Sequence, residues 1–320
     1  MPNLPGQETD DGHILPLAES VRDLSDRKIQ EEEKMPTFQN RAALTIGGNT
    51  INSNVVQGEI TEVLQITKTA VDGTYVPGDT VTYAVSVVNT GGAAYTGLTL
   101  SDDLGEYPFG SGTLVPLTYE EGTVQVYVNG VLQAQPTVTE PFTITGLSVP
   151  AGGNLLVLYS AEVNRFAPPE ADGTVTNTVT LTGGGLSTPL TAEAVVTADA
   201  APSLTINKAI CPTVITDNGS ITYTFVIQNT GNTPVVATDG AVITDTFETT
   251  AAGLEVTFNG TPWTEGTDYT YDNATGLFTT ITPVTVPAAT YTQDSETGEW
   301  ILQPGVSELV VTLNGVQIRG

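Results

Sequence analysis

Between residues 64 and 197 the apolar positions recur every second residue, in short runs broken by Gly, Pro, Asn and Asp. Thr80–Asn89 sets Val81, Tyr83, Val85 and Val87 against Thr82, Ala84 and Ser86, the period of a strand with one buried face. Residues 126–132 carry Asn129-Gly130, a pair that favours the left-handed backbone of a two-residue hairpin turn. Asn154–Val163 reads as a long apolar strand, and residues 174–182 and 190–197 read as the strands that close the unit. About eight or nine strands with frequent turn signals predict a β-sandwich.

From residue 203 the pattern returns. Lys68 precedes Tyr83 by fifteen residues, and Lys208 precedes Tyr223 by fifteen. Asn89-Thr90-Gly91 answers Asn229-Thr230-Gly231, Leu100-Ser101-Asp102 answers Ile243-Thr244-Asp245, and Asn129-Gly130 answers Asn259-Gly260. After an inserted stretch around 262–300, residues 150–155 answer 304–309, which pairs 309–319 with 155–165. Such a sustained register is an internal repeat. Nothing in the sequence after it answers residues 174–197. Their counterpart stands near the start: Asn40-Arg41-Ala42-Ala43-Leu44-Thr45-Ile46-Gly47 resembles Asn177-Thr178-Val179-Thr180-Leu181-Thr182-Gly183-Gly184. Both phrases pass through a turn into a second apolar strand, and both lead into a fresh first strand carrying Lys68 or Lys208. Four segments are expected: an arm, 1–36; a donor hairpin, 37–62; a sandwich with its closing hairpin, 63–200; and a sandwich without one, 201–320. Leu17, Val21 and Leu24 follow helical spacing, which allows a short helix around 17–33 beside the alternative of a disordered tail.

Composition narrows the partners. With 36 acidic against 9 basic residues and a net charge of −27, nucleic acid and anionic membrane surfaces are not expected partners. No run approaches the roughly 18–20 apolar residues of a membrane span, so membrane insertion is not expected. Residues 1–11 lack the basic-then-apolar signature of an export signal, which points to release by lysis, another route, or a processed start. Cys211 is the single cysteine and closes no disulfide within the chain; it reads as strand packing, with a bond between chains as the alternative.

Candidate chemistry is sparse. His13, the only histidine, lies in the arm, so neither a nucleophilic triad nor a histidine metal site is expected. No Gly-rich phosphate loop follows a strand and opens a helix. Asp102-Asp103 and Glu120-Glu121 lack the spaced oxygen ligands of a calcium loop. No cofactor, metal or enzymatic activity is therefore expected. Tyr269, Tyr271, Trp263 and Trp300 read as core or edge packing, with a sugar- or partner-binding patch as the alternative.

The run Lys68…Pro77-Gly78-Asp79-Thr80-Val81-Thr82-Tyr83…Val88-Asn89-Thr90-Gly91…Leu100-Ser101-Asp102…Asn177-Thr178-Val179 resembles the bacterial conserved-repeat surface domain. The second unit resembles it too, with Asp217-Asn218-Gly219 in place of the Pro-Gly-Asp run, so the resemblance spans residues 40–320. It implies immunoglobulin-like domains in tandem, of the kind used on cell and spore surfaces. With the segments read above, the expected fold class is all-β: two tandem immunoglobulin-like β-sandwiches preceded by an N-terminal arm and donor hairpin. Related isopeptide-forming fimbrial domains share the Lys, Asp and Asn positions. Of the four lysines, only Lys68 and Lys208 lie in the domain bodies. A lysine buried in an apolar sandwich has its ammonium form disfavoured, and the neutral amine is a nucleophile. A nearby buried aspartate could protonate an asparagine amide and help ammonia leave. The expected bonds are Lys68 to Asn177, promoted by Asp102, and Lys208 to Asn40 of another subunit, promoted by Asp245. The alternative is exposed lysines and asparagines making ordinary turn and strand bonds.

The function expected is that of a structural subunit whose partner is itself. It would polymerise head to tail outside the cell, on a bacterial cell or spore surface, with the spore favoured by the missing export signal. Ala42, Leu44 and Ile46 would fill the neighbour's second sandwich, with Val55 following on the return strand. The rival readings are a fragment of a surface adhesin or spacer, and a carbohydrate-active enzyme with paired carboxylates, for which no pair is fixed at catalytic separation.

Overall fold

The computed structural model describes residues 37–59 and 61–318. The arm and its expected short helix lie outside the described residues. The chain is all-β: among the described residues the only helical element is the single 3-10 turn Ala237–Asp239. No described helix is long and apolar enough to cross a membrane. The chain divides into two compact units, residues 1–62 and 63–320.

The first unit contains an antiparallel hairpin. Thr37–Asn40 pairs with Val56–Glu59, and Ala43–Ile46 pairs with Asn49–Asn52 across a turn whose Gly47 and Gly48 have φ of 60° and 84°. Both angles are ones that residues with a Cβ adopt only at a cost. Residues 53–55 face only 41–42, so the return strand carries a bulge, held by Ser53 N donating to Ala42 O (2.8 Å) and Ala42 N donating to Ser53 Oγ (2.9 Å). The apolar side chains Phe38, Leu44, Ile46, Ile51, Val55 and Val56 are all exposed, Leu44 to 65%. A two-stranded ribbon with no covered face is marginal alone in water.

In the second unit, the first sandwich places one sheet in the order Val131–Leu132, Gln125–Val128, Asn154–Val163, Thr80–Asn89, Leu64–Ala70. The facing sheet runs Val138–Thr139, Thr143–Val149, Tyr95–Asp102, Thr174–Gly183, Leu190–Ala198, Thr74–Tyr75. The alternation read in the sequence closes the core between them: Val81, Tyr83, Val85 and Val87 meet Leu100, Phe142, Tyr159 and Leu181, all buried.

The second sandwich repeats the first sheet as Leu204–Cys211, Ser220–Asn229, Gly305–Asn314, Gly253–Phe258, Thr261–Trp263. Its core gathers Phe225, Ile227, Val256, Phe278, Leu309 and Val311. Opposite lies a sheet of three short strands, Thr244–Thr246, Leu277–Thr280 and Tyr269–Asp272. In the first sandwich Tyr95–Asp102 is paired on both edges, by Thr143–Val149 and by Thr174–Gly183. Among the described residues Thr244–Thr246 is paired on one edge only, by Leu277–Thr280.

Two features correct the sequence register. Against the Asn-Gly hairpins the match of Leu155 with Leu309 holds, since Val128 faces Leu155 and Phe258 faces Leu309. Against the neighbouring strand it slips by two: Val85 faces Val157, while Phe225 faces Leu309. An even slip keeps every side chain on its own face. It also changes who meets whom, so Tyr83 faces Tyr159 but Tyr223 faces Val311. The counterpart of Pro150 is then Pro287, because Asn89 and Asn229 donate their side-chain amides to those two carbonyls. Part of the inserted length is a hairpin of Thr290–Gln293 and Trp300–Gln303, standing where the first sandwich makes a tight turn after Pro150.

That hairpin ties the two sandwiches together. Trp300 donates its indole N–H to Phe166 O (3.3 Å), Gln293 Nε2 donates to Tyr107 Oη (2.9 Å), and Arg165 pairs with Glu299 (3.1 Å). Trp300 thus serves the joint, whereas Tyr269 is buried in the core and Trp263 stacks on Phe258. Cys211 is free and exposed at the end of its strand, which corrects the packing expectation.

Candidate functional site

Lys68 points inward because Leu64, Ile66 and Lys68 share one face of their strand. Its side chain and that of Asp102 are both 0% exposed, with Lys68 Nζ donating to Asp102 Oδ2 at 2.7 Å. Tyr159 Oη donates to the same carboxylate oxygen at 2.6 Å, and Leu104 N donates to Oδ1 at 3.0 Å. Asn177, fully buried, projects from the closing hairpin and donates its Nδ2 to Tyr159 Oη at 3.1 Å. Asn177 Oδ1 is buried with no hydrogen-bond partner. Leaving such an acceptor unpaired costs on the order of 1–3 kcal/mol. Tyr83 and Tyr159 stack at 5.4 Å, and their rings lie 4.9 and 5.9 Å from the Lys68 nitrogen. The Tyr83 hydroxyl is buried near Asn177 but outside hydrogen-bond geometry.

Electrostatics push this pair towards neutrality. Burial lowers the Lys68 ammonium from 10.5 to about 8, against the opposing pull of the Asp102 charge and hydrogen bond. Burial also pushes the Asp102 carboxyl up, with the Lys68 charge holding it back. Desolvation acts on both partners in the direction that favours amine and carboxylic acid over an ion pair. An amine, an acid and an amide carbon held in one dry site are the parts of an acyl transfer.

The second sandwich brings Lys208 and Asp245 together in a hydrogen-bonded ion pair, but in the open. Their side chains are 40% and 18% exposed. Tyr223, Phe225 and Phe247 lie 4.6, 5.5 and 5.4 Å from the lysine nitrogen. The inward positions Leu204, Ile206 and Ile210 are exposed, Ile206 to 55%. Among the described residues no asparagine stands where Asn177 stands, and Val311 replaces Tyr159.

Of the residues singled out in the sequence, Lys68, Asp102 and Asn177 converge in one buried site, and Lys208 meets Asp245. Asn40, Ala42, Leu44 and Ile46 lie on the exposed hairpin. Val55 falls in the bulge; the residues directly across the ladder are Val56 for Asn40 and Ile51 for Leu44. Residues opposite one another in an antiparallel pair share a face. Sequence reasoning missed Tyr159. The available signal was its inward place on Asn154–Val163, but its partners depend on the register.

No protein-family model matches the chain, and no curated protein matches it. Several solved structures are similar to parts of the chain. The pilus backbone RrgB of Streptococcus pneumoniae is similar at 18% identity and a TM-score of 0.30, covering 75% of this chain and 55% of that one. The major pilin GBS80 of Streptococcus agalactiae, as a C-terminal fragment, is 11% identical with a TM-score of 0.31, covering 76% of this chain and 91% of that one. The major pilin subunit BcpA of Bacillus cereus is 12% identical with a TM-score of 0.34, covering 84% and 73%. The chain spans about half the length of the RrgB structure.

Proposed function

We propose that the protein is a structural subunit that polymerises head to tail into an extracellular fibre on a bacterial cell or spore surface. Residues 37–59 of one copy enter the second sandwich of the next and complete it by strand addition. The observation that carries this reading is the contrast between matched positions: Lys68 is sealed under the Thr174–Gly183 and Leu190–Ala198 hairpin, while Lys208 and its strand are open. The one segment whose sequence resembles that closing hairpin displays its apolar side chains to solvent. A heterologous contact of this kind, if it does not close a ring, propagates as a filament.

Each large apolar side chain fully buried contributes about 1.5–3 kcal/mol, against an association cost of about 4–15 kcal/mol. A covalent seal makes the joint permanent. Lys208 would attack the Asn40 side-chain amide, with Asp245 promoting loss of ammonia, and Lys68 would bond Asn177 within the first sandwich with Asp102. Each bond removes one ammonia, about 17 Da, as a condensation that makes an amide.

Electron microscopy of the purified chain, followed by boiling in detergent, tests the reading. The expected result is uniform fibres that leave a ladder of multimers. Fibres that fall to monomers would remove the covalent seal, and persistent monomers would return the chain to the rival reading of a surface spacer or adhesin fragment.

A further inference from the structure

Asp102 holds Lys68 and Tyr159 on the same carboxylate oxygen, and its other oxygen is occupied by Leu104 N. The hydrogen bond from the Asn177 amide nitrogen goes to the Tyr159 hydroxyl rather than to the carboxylate. The connected route from the aspartate to the nitrogen that must leave therefore runs through one phenol, 2.6 Å from the acid and 3.1 Å from the amide. We propose that Tyr159 is a catalytic proton relay for the Lys68–Asn177 bond, carrying the Asp102 proton to the departing nitrogen of Asn177. This rests on the isopeptide reading above and adds a residue to it.

The step balances. A proton passes from the Lys68 ammonium to Asp102, leaving amine and carboxylic acid. The amine lone pair attacks Asn177 Cγ and forms the new C–N bond. Tyr159 gives its hydroxyl proton to Nδ2 and takes the Asp102 proton in its place. The C–Nδ2 bond breaks with its electron pair on nitrogen, and ammonia leaves. Asp102 then takes a proton from the newly formed amide nitrogen, so the phenol is regenerated and Asp102 ends as the carboxylic acid, the net proton having come from the Lys68 ammonium. Burial and the Asp102 charge keep the Tyr159 phenol well above its ordinary range, so it remains protonated and able to donate. In the second sandwich Val311 faces Tyr223 where Tyr159 faces Tyr83, so the bond to Asn40 must form without this relay, and more slowly.

The test uses the full chain carrying Asn40→Ala, so that the intrachain bond alone is read. The chain is synthesised and kept unfolded in urea, so that no bond forms before refolding starts, and its intact mass is then followed in time during refolding, with and without Tyr159→Phe. General acid–base groups contribute about 10²–10⁴-fold, so the variant is expected to lose its 17 Da (the mass of ammonia) at least about a hundredfold more slowly. It should also lose the solvent deuterium isotope effect of the parent. If the parent never loses the mass, the isopeptide reading itself is wrong. If both lose it at one rate, the relay alone is overturned. Should Tyr159→Phe fail to fold, 3-fluorotyrosine placed at position 159 preserves the shape and acidifies the phenol. A rate that shifts with that acidity supports the relay, and an unmoved rate overturns it.

Discussion

The two sandwiches carry one lysine–aspartate pair each, on equivalent strands, and treat it in opposite ways. Lys68 and Asp102 are sealed from water, while Lys208 and Asp245 stand partly in it. The pair itself is the same and the lysine strands match, Leu64–Ala70 against Leu204–Cys211, though the aspartate strand shortens from Tyr95–Asp102 to Thr244–Thr246. What differs is the hairpin of Thr174–Gly183 and Leu190–Ala198, which covers the first lysine strand and supplies Asn177. That hairpin covers Lys68 and brings Asn177 to it, and its presence decides whether the lysine is buried or partly exposed; in the proposed reaction it is also a reactant. The segment from Asn40 to Val56 exposes large apolar side chains, which the proposed function reads as a lid for another copy.

The largest effect is expected from spoiling the candidate lid. Leu44→Asp places a charge that must lose its water on entering the sandwich, a penalty of several kcal/mol per ion. Fibre formation should be abolished in electron micrographs, with the first sandwich still melting as in the parent. Asn40→Ala separates docking from sealing: fibres should form but fall to monomers on boiling, with the mass loss of the Lys68–Asn177 bond retained. Polymerisation of Leu44→Asp at the parent rate would break the comparison at its root.

A smaller effect is expected from leaving Lys68 buried and unbonded in Asn177→Ala. Its folded-state pKa is about 8 against 10.5 when free, so between those values the unfolded chain binds more protons. Stability then rises with pH across that window and is lowest, in this respect, below pH 8. The raised Asp102 carboxyl works the other way, at the acid end of the scale. Urea melts of Asn177→Ala from pH 7.5 to 10 should show the rise, whereas adding Lys68→Met should flatten it.

The smallest effect concerns the joint. Trp300→Ala removes the indole that donates to Phe166 O. Both sandwiches should melt unchanged, while spin-label distances between them broaden. An unaltered distance distribution would assign the joint to the Arg165–Glu299 pair and the Asn232 side chain, which donates to Pro169 O and Asp199 O.

Much of this molecule was legible in its sequence, because the signals are local. Two-residue alternation places Val81, Tyr83, Val85 and Val87 inside, and only a sheet satisfies that period. Asn129-Gly130 and Asn259-Gly260 adopt the positive φ angles of their hairpin turns because little else does so cheaply. The convergence of Lys68, Asp102 and Asn177 follows from inward positions on three strands of one sandwich. Tertiary structure alone decided the two-residue slip that sets Val311 where Tyr159 stands, the place of the Thr290–Gln303 hairpin, and the openness of Lys208. An even slip leaves alternation untouched and so leaves no trace in the pattern. Burial of a strand depends on what packs over it, and that is settled by residues more than a hundred positions away along the chain.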